Sequence, residues 1–126
     1  FKKDATGRLI AAGNNISASL NAGSALQAGV TGATAGLIVT SSQKVAFQTT
    51  GGSASLSFGS GFASATATSV NVSYNNTGAN VNTTITGLGG AISAPVTVVD
   101  GVTSVVVTGL NATISSFVTL SGDFGV

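Results

Sequence analysis

Cysteine, histidine, methionine, tryptophan and glutamate are all missing from this chain. Without cysteine there is no disulfide framework and no thiol chemistry. Without histidine or cysteine no Ser-His-Asp or Cys-His arrangement can form, and zinc loses its usual ligands. Three aspartates are the only carboxylates, so paired-acid glycosidase chemistry has little to draw on. Charged residues make up 6% of the chain, against about 25% in ordinary soluble domains. A net charge of +1 and no basic stripe give nothing to gather nucleic acid. No window of about 18 apolar residues exists, which excludes a transmembrane helix. No signal peptide is visible, so it has been removed or this is an internal fragment. These absences point away from an enzyme, and no cofactor is expected.

What is present is Gly, Ala, Ser, Thr, Asn and Val, with 43% hydrophobic residues overall. That content is too apolar for a disordered tail and suits one domain over residues 1–126. A neutral, sulfur-free, Ser/Thr/Asn-rich surface fits an extracellular or cell-surface setting. Low charge also removes a common defence against association.

Period two dominates, which predicts strands. Val118, Leu120, Phe124 and Val126 share one parity, and Leu110, Ala112 and Ile114 extend it backwards. Ile16, Ala18 and Leu20 alternate with serines, and Leu26, Ala28 and Val30 follow the turn at Asn21–Ser24. Leu37 and Val39 lead into a hairpin tip at Ser41–Lys44, and Val45 and Phe47 lead out. Ala54, Leu56 and Phe58 form another strand. Between Phe62 and Tyr74 the apolar parity switches, which predicts a β-bulge near Thr68-Ser69. Asp100-Gly101 between two Val-rich runs predicts a type I′ hairpin, with Pro95 at its mouth. The Ala/Leu-rich stretch 8–28 is interrupted by glycines and reads as strand, with a short helix as the alternative. The expected fold is all-β, with eight to ten strands in an antiparallel sandwich or meander. A β-solenoid is the alternative.

The chain ends in strand pattern and begins on a bare phenylalanine. Placing Val118–Val126 before Phe1–Ile10 gives one uninterrupted hairpin, turning at Asp4–Gly7. A tandem repeat, or a subunit whose end strand a neighbour completes, would account for this. The chain also resembles the tandem repeat units of large bacterial surface and secreted proteins. The pieces that carry the resemblance are Ser121–Val126, Asn14–Leu20 and Gly61–Gly78. It implies a repeat of an adhesin-like or fibre-forming extracellular protein without catalytic activity.

Candidate sites follow from these readings. The assembly interface is expected at Phe1, Leu120, Phe124 and Val126, with copies of the same chain as partner. Asp4 and Asp123 are candidates for a weak calcium site, weighed against plain roles as turn former and edge charge. Asn15, Asn71, Asn75, Asn82 and Asn111 head Asn-x-Ser/Thr sequons and are glycosylation candidates, or simply polar β-surface. The loop Gly87–Gly90 lacks the Gly-Lys-Ser/Thr of a phosphate loop. Most of the aromatic residues are expected to anchor the core. An adhesin repeat binding glycan or a surface protein is the alternative function, with 75–82 and 87–94 as its suspect loops.

Overall fold

Alternating sequences become strands here along almost the whole chain. The computed structural model describes residues 2–116 and 118–126, and of Leu88 the backbone alone. The strands are β1 (Lys2–Lys3), β2 (Leu9–Ala22), β3 (Leu26–Val39), β4 (Val45–Thr50), β5 (Ser53–Phe58), β6 (Ala63–Ala67), β7 (Ser69–Asn75), β8 (Val81–Gly87), β9 (Ile92–Val98), β10 (Thr103–Ile114) and β11 (Val118–Gly125). Every pairing is antiparallel, so the architecture is a meander and not a parallel solenoid. The stretch 9–22 is strand throughout, which settles the helix alternative.

The eleven segments resolve into a simpler plan. β3 pairs with β4 along one half and β5 along the other, so β4 and β5 are two halves of one long strand. β10 likewise spans β7 and β6. The result is a sheet of six long strands, β2, β3, β4/β5, β6/β7, β10 and β11, each antiparallel to the next. β8 and β9 form a separate hairpin that packs on one half of one face, against β2, β3 and β4.

A line of irregularities crosses the sheet at mid-length. It runs through Asn15 and Gly32, both with positive φ, then Gly51 and Gly52, the break at Thr68, and Gly109. At Thr108-Gly109 two residues of β10 oppose the single Asp123 of β11, as the register steps from Val107↔Phe124 to Leu110↔Gly122. An extra residue in a strand exchanges its two faces. The expected bulge at Thr68-Ser69 is therefore one member of a row. Where the sequence switches from Val70 and Val72 to Ala67 and Ala65, the side chains stay on one side of the sheet.

One face is thereby apolar from end to end. Register places Leu20, Ala28, Leu56, Ala65, Ala112 and Leu120 in one cross-strand row, and Ala22, Leu26, Phe58, Ala63, Ile114 and Val118 in the next. Beyond the bulges, Leu37, Phe47 and Tyr74 share the same side, as do Val70, Val107 and Phe124. The other face differs between its halves. Near the hairpin it carries Ile38 and Ala46, which form the core with Ile85, Val96 and Val98. Away from the hairpin it carries the polar row Ser19, Gly29, Ser55, Thr66, Asn111 and Ser121.

The hairpin seats closely because Gly36 has no side chain: a Cβ there would lie 2.5 Å from Val96 Cγ2. Gln48 Oε1 accepts the outward N–H of Thr97 at 2.7 Å, which ties the edge of β9 to the sheet. Pro95, two residues earlier on the same edge, has no N–H to lose.

Two expectations need correction. Asp100-Gly101 does not close a hairpin, because β9 pairs with β8 and β10 pairs with β7. A type I′ turn needs positive φ at both central residues, and only Gly101 has it. The turn, closed by Val102 N–H to Val99 O, instead carries the chain from the hairpin layer to the sheet. The described aromatic residues are not core anchors: Phe58, Phe62 and Phe124 are exposed, and Phe47 and Tyr74 stand half-buried on the open face, while Phe1 and Phe117 lie outside the described residues.

Candidate assembly surfaces

All but one of the sequence-predicted site residues have a definite place. Leu120 and Phe124 point to the apolar face from β11, the last strand of the sheet, and are 49% and 43% exposed. Val126 continues that strand, since it exchanges both backbone hydrogen bonds with Val105. Phe1 lies outside the described residues. At the opposite edge, β2 is covered only where Lys2 and Lys3 face Ile10 and Leu9, and among the described residues its outer edge is free from Ala11 to Ala22. The outer edge of β11 is free along its whole length among the described residues. The structure thus presents two long unpaired edges, 118–125 and 11–22. The second was not singled out from sequence, because an alternating strand reads the same whether its edge is paired or open.

The alternation of side chains fixes what these edges offer. Because residue 126 is in a hydrogen-bonded pair with Val105, Gly125 occupies the intervening position, with its N–H and C=O turned outward. β2 and β11 lie in a six-strand meander, so they run in opposite directions. A second copy displaced across the sheet would bring its β2 antiparallel to β11. In every second register, Ala18 and Leu20 of one copy then join Leu120 and Val118 of the other on one apolar face.

The calcium candidates are committed elsewhere and sit at opposite edges of the sheet. Asp4 shapes the β1–β2 turn: its Oδ1 accepts from Thr6 N, Thr6 Oγ1 and Arg8 N, and its Oδ2 accepts from Arg8 Nε at 2.7 Å. Asp123 Oδ1 accepts the N–H of Gly109 at 2.7 Å, which satisfies the bulge. The Thr6 hydroxyl and, against some desolvation, the Arg8 contacts hold the Asp4 carboxyl well below the usual carboxylate range. A depressed folded-state value means that the stabilisation is complete above the unfolded value of about 4 and fades as pH falls through the folded one. Acidification below about pH 4 is therefore expected to loosen the β1–β2 turn before the rest of the sheet. Amide chemical shifts of Thr6 and Arg8 followed against pH check this. Asp4→Asn should abolish that titration, and an unchanged curve would contradict the assignment.

The sequons divide by burial. Asn75 is 1% exposed and its Nδ2 donates to both Ala79 O and Val98 O. It is a structural residue with no room for a glycan, which corrects that candidate. Asn71 Oδ1 accepts from Gly51 N at 2.9 Å, and Asn82 Oδ1 from Thr97 Oγ1. Asn15, Asn82 and Asn111 are exposed, Asn15 at the bulge of β2, Asn82 on β8 and Asn111 on the polar face. The suspect loop 75–82 is held internally by Asn75, Thr77 and the bond from Gly78 N to Asp100 Oδ1.

No family model, no curated protein and no solved structure matches the chain. Among the described residues, no helix is long and apolar enough to cross a membrane.

Proposed function

We propose that this chain is a structural subunit or repeat of an extracellular filament or surface fibre, assembling by strand addition between its two sheet edges. The observation that carries the reading is the pair of free edges on a sheet with an even number of strands. An even count lets translated copies keep antiparallel alternation. The contact is heterologous, β11 against β2, and such contacts propagate into open filaments when the rotation between copies does not close a ring. Backbone hydrogen bonds supply length, and the shared apolar face supplies register. Long unprotected edges are usually blunted by charge or proline. Apart from Asp123, which is spent on Gly109, these two edges carry neither. A structural role also suits a chain without histidine, cysteine or glutamate.

Sedimentation velocity over rising concentration tests the reading. The chain should grow into a continuous series of species larger than a dimer. Gly125→Pro removes an outward donor without touching a bond to β10, and should suppress that series. A peptide with the sequence of residues 118–125, offered in excess, should do the same by occupying the free edge of β2. Growth indifferent to both would overturn the proposal.

A further inference from the structure

Among the described residues, no strand packs over the apolar face of the sheet. The main strand contacts are those between neighbouring strands and those of the β8–β9 hairpin with the opposite face. Eight of the large exposed hydrophobic side chains lie on this one side: Leu9, Leu20, Phe58, Val105, Ile114, Val118, Leu120 and Phe124. Leu20, near one edge, is 57% exposed. Six strands about 4.8 Å apart, each about 12 residues long at about 3.4 Å per residue, give a face of roughly 1,200 Å². The largest apolar patch on an ordinary monomer is about 300–600 Å².

We infer that this face is an isologous interface with a second copy of the same chain, the two sheets stacking face to face as a two-layer sandwich. Three observations select that occupant. The area fits: two such faces hide roughly 2,400 Å² in total, above the roughly 1,200–2,000 Å² of a stable interface. The rows across the six long strands carry no charged residue, and Lys3, paired with Leu9 on β1, is the one charge this side bears among the described residues, at its margin, so identical copies meet without repulsion over the shared area. The relief suits interdigitation: in the row from Leu20 to Leu120, Ala28 lies between Leu20 and Leu56, and Ala65 and Ala112 lie between Leu56 and Leu120, so hollows alternate with projecting leucines that a second copy can fill. The hollow over Ala18, Ala28 and Ala54 is flanked by Leu20 and Val30 and is lined almost wholly by apolar surface. Stacked sheets separated by about 10 Å interdigitate side chains of this size. This interface is distinct from the edge contact, because it uses side chains of one face and none of the outward backbone groups.

The test uses the full chain carrying Gly125→Pro, which silences edge growth, beside the unmodified chain. Sedimentation equilibrium of the edge-blocked protein should give a dimer, twice the 12.0 kDa chain mass. Adding Leu56→Lys, on the third of the six strands, should weaken that dimer roughly 100-fold or more, because an ammonium would be buried without a partner. The lysine is tolerated in the monomer, where the face is open to water, and circular dichroism verifies the fold. Ser57→Lys, on the polar face of the same strand, should leave the dimer intact. A bimane label on Leu56→Cys, the sole thiol in the chain, should shift to the blue on dimerisation. A monomeric edge-blocked protein, a dimer indifferent to Leu56→Lys, or a label buried only by added phosphatidylcholine vesicles would each overturn the inference. If the unmodified chain does not grow beyond a dimer while the face variants behave as stated, the edge proposal fails and this one stands.

Discussion

Asn75→Ala lowers the stability of the fold by about 3 kcal/mol, the sum expected when several buried hydrogen bonds lose one shared partner. The side chain is the junction between the sheet and the hairpin layer. Its Nδ2 donates to Ala79 O at 2.9 Å and Val98 O at 2.8 Å, and its Oδ1 accepts from the N–H and the hydroxyl of Thr77. Alanine removes these bonds together and strips the amide donor from the Val98 carbonyl, which keeps only its ladder partner Val81, at a buried position where water cannot replace the amide without opening the layer. The backbone of the same residue adds two further ties, Asn75 N–H to Val102 O and Gly101 N–H to Asn75 O. For a chain of 126 residues the loss corresponds to a fall in Tm of about 10 °C. Asn111→Ala, on the exposed polar face, should stay within about 0.5 kcal/mol. Thermal and urea unfolding of the two variants, with growth blocked by Gly125→Pro, decide the matter. Equal effects from both would contradict the role assigned to Asn75.

Gly109→Ala is expected to cost about as much, for two separable reasons. The backbone at Gly109 has φ of +61, which a residue with a Cβ adopts at a cost of about 1–2 kcal/mol. The added Cβ would also overlap the Thr68 hydroxyl, which donates to Thr108 O and closes the same bulge from the other side. Gly101→Ala supplies the comparison: its φ is +77, but a Cβ there meets nothing within 4 Å. Gly101→Ala should therefore show the backbone cost alone, and Gly109→Ala should exceed it by about 1 kcal/mol or more. In a Thr68→Gly background the excess should vanish while the backbone cost persists, which a double-mutant cycle reads directly. Equal losses at the two glycines would show that the bulge line tolerates a side chain.

These two sites show where sequence patterning carries information and where it stops. The parity switch between Ala67 and Val70 is visible in the sequence because both halves of that strand are patterned. In β3 the corresponding switch at Gly32 is hidden, since Gly36 and Ile38 are buried under the hairpin while Leu37 lies half-buried on the other face. The row of bulges emerges only when register aligns Asn15, Gly32, Gly52, Thr68 and Gly109. Asp100-Gly101 misled for a related reason. The dipeptide signals a tight turn, which it makes, but the strands it joins belong to different layers. The role of Asn75 carries no pattern at all, because a buried asparagine and a sequon asparagine are spelled alike. The edge strand at Val118–Gly125 was legible from its alternation. The free edge of β2 was not, because pairing is a property of the fold and not of the strand.

Hydrogen exchange at the Gly125 amide tests strand addition most directly. In a dilute solution this outward N–H faces water and should exchange freely, while the amides of β3, paired on both sides, are protected. On raising the concentration into the range where large species form, strand addition predicts that Gly125 becomes protected and that unpaired amides of β2 between Ala11 and Ala22 slow with it. Large species in which Gly125 still exchanges freely would contradict the account.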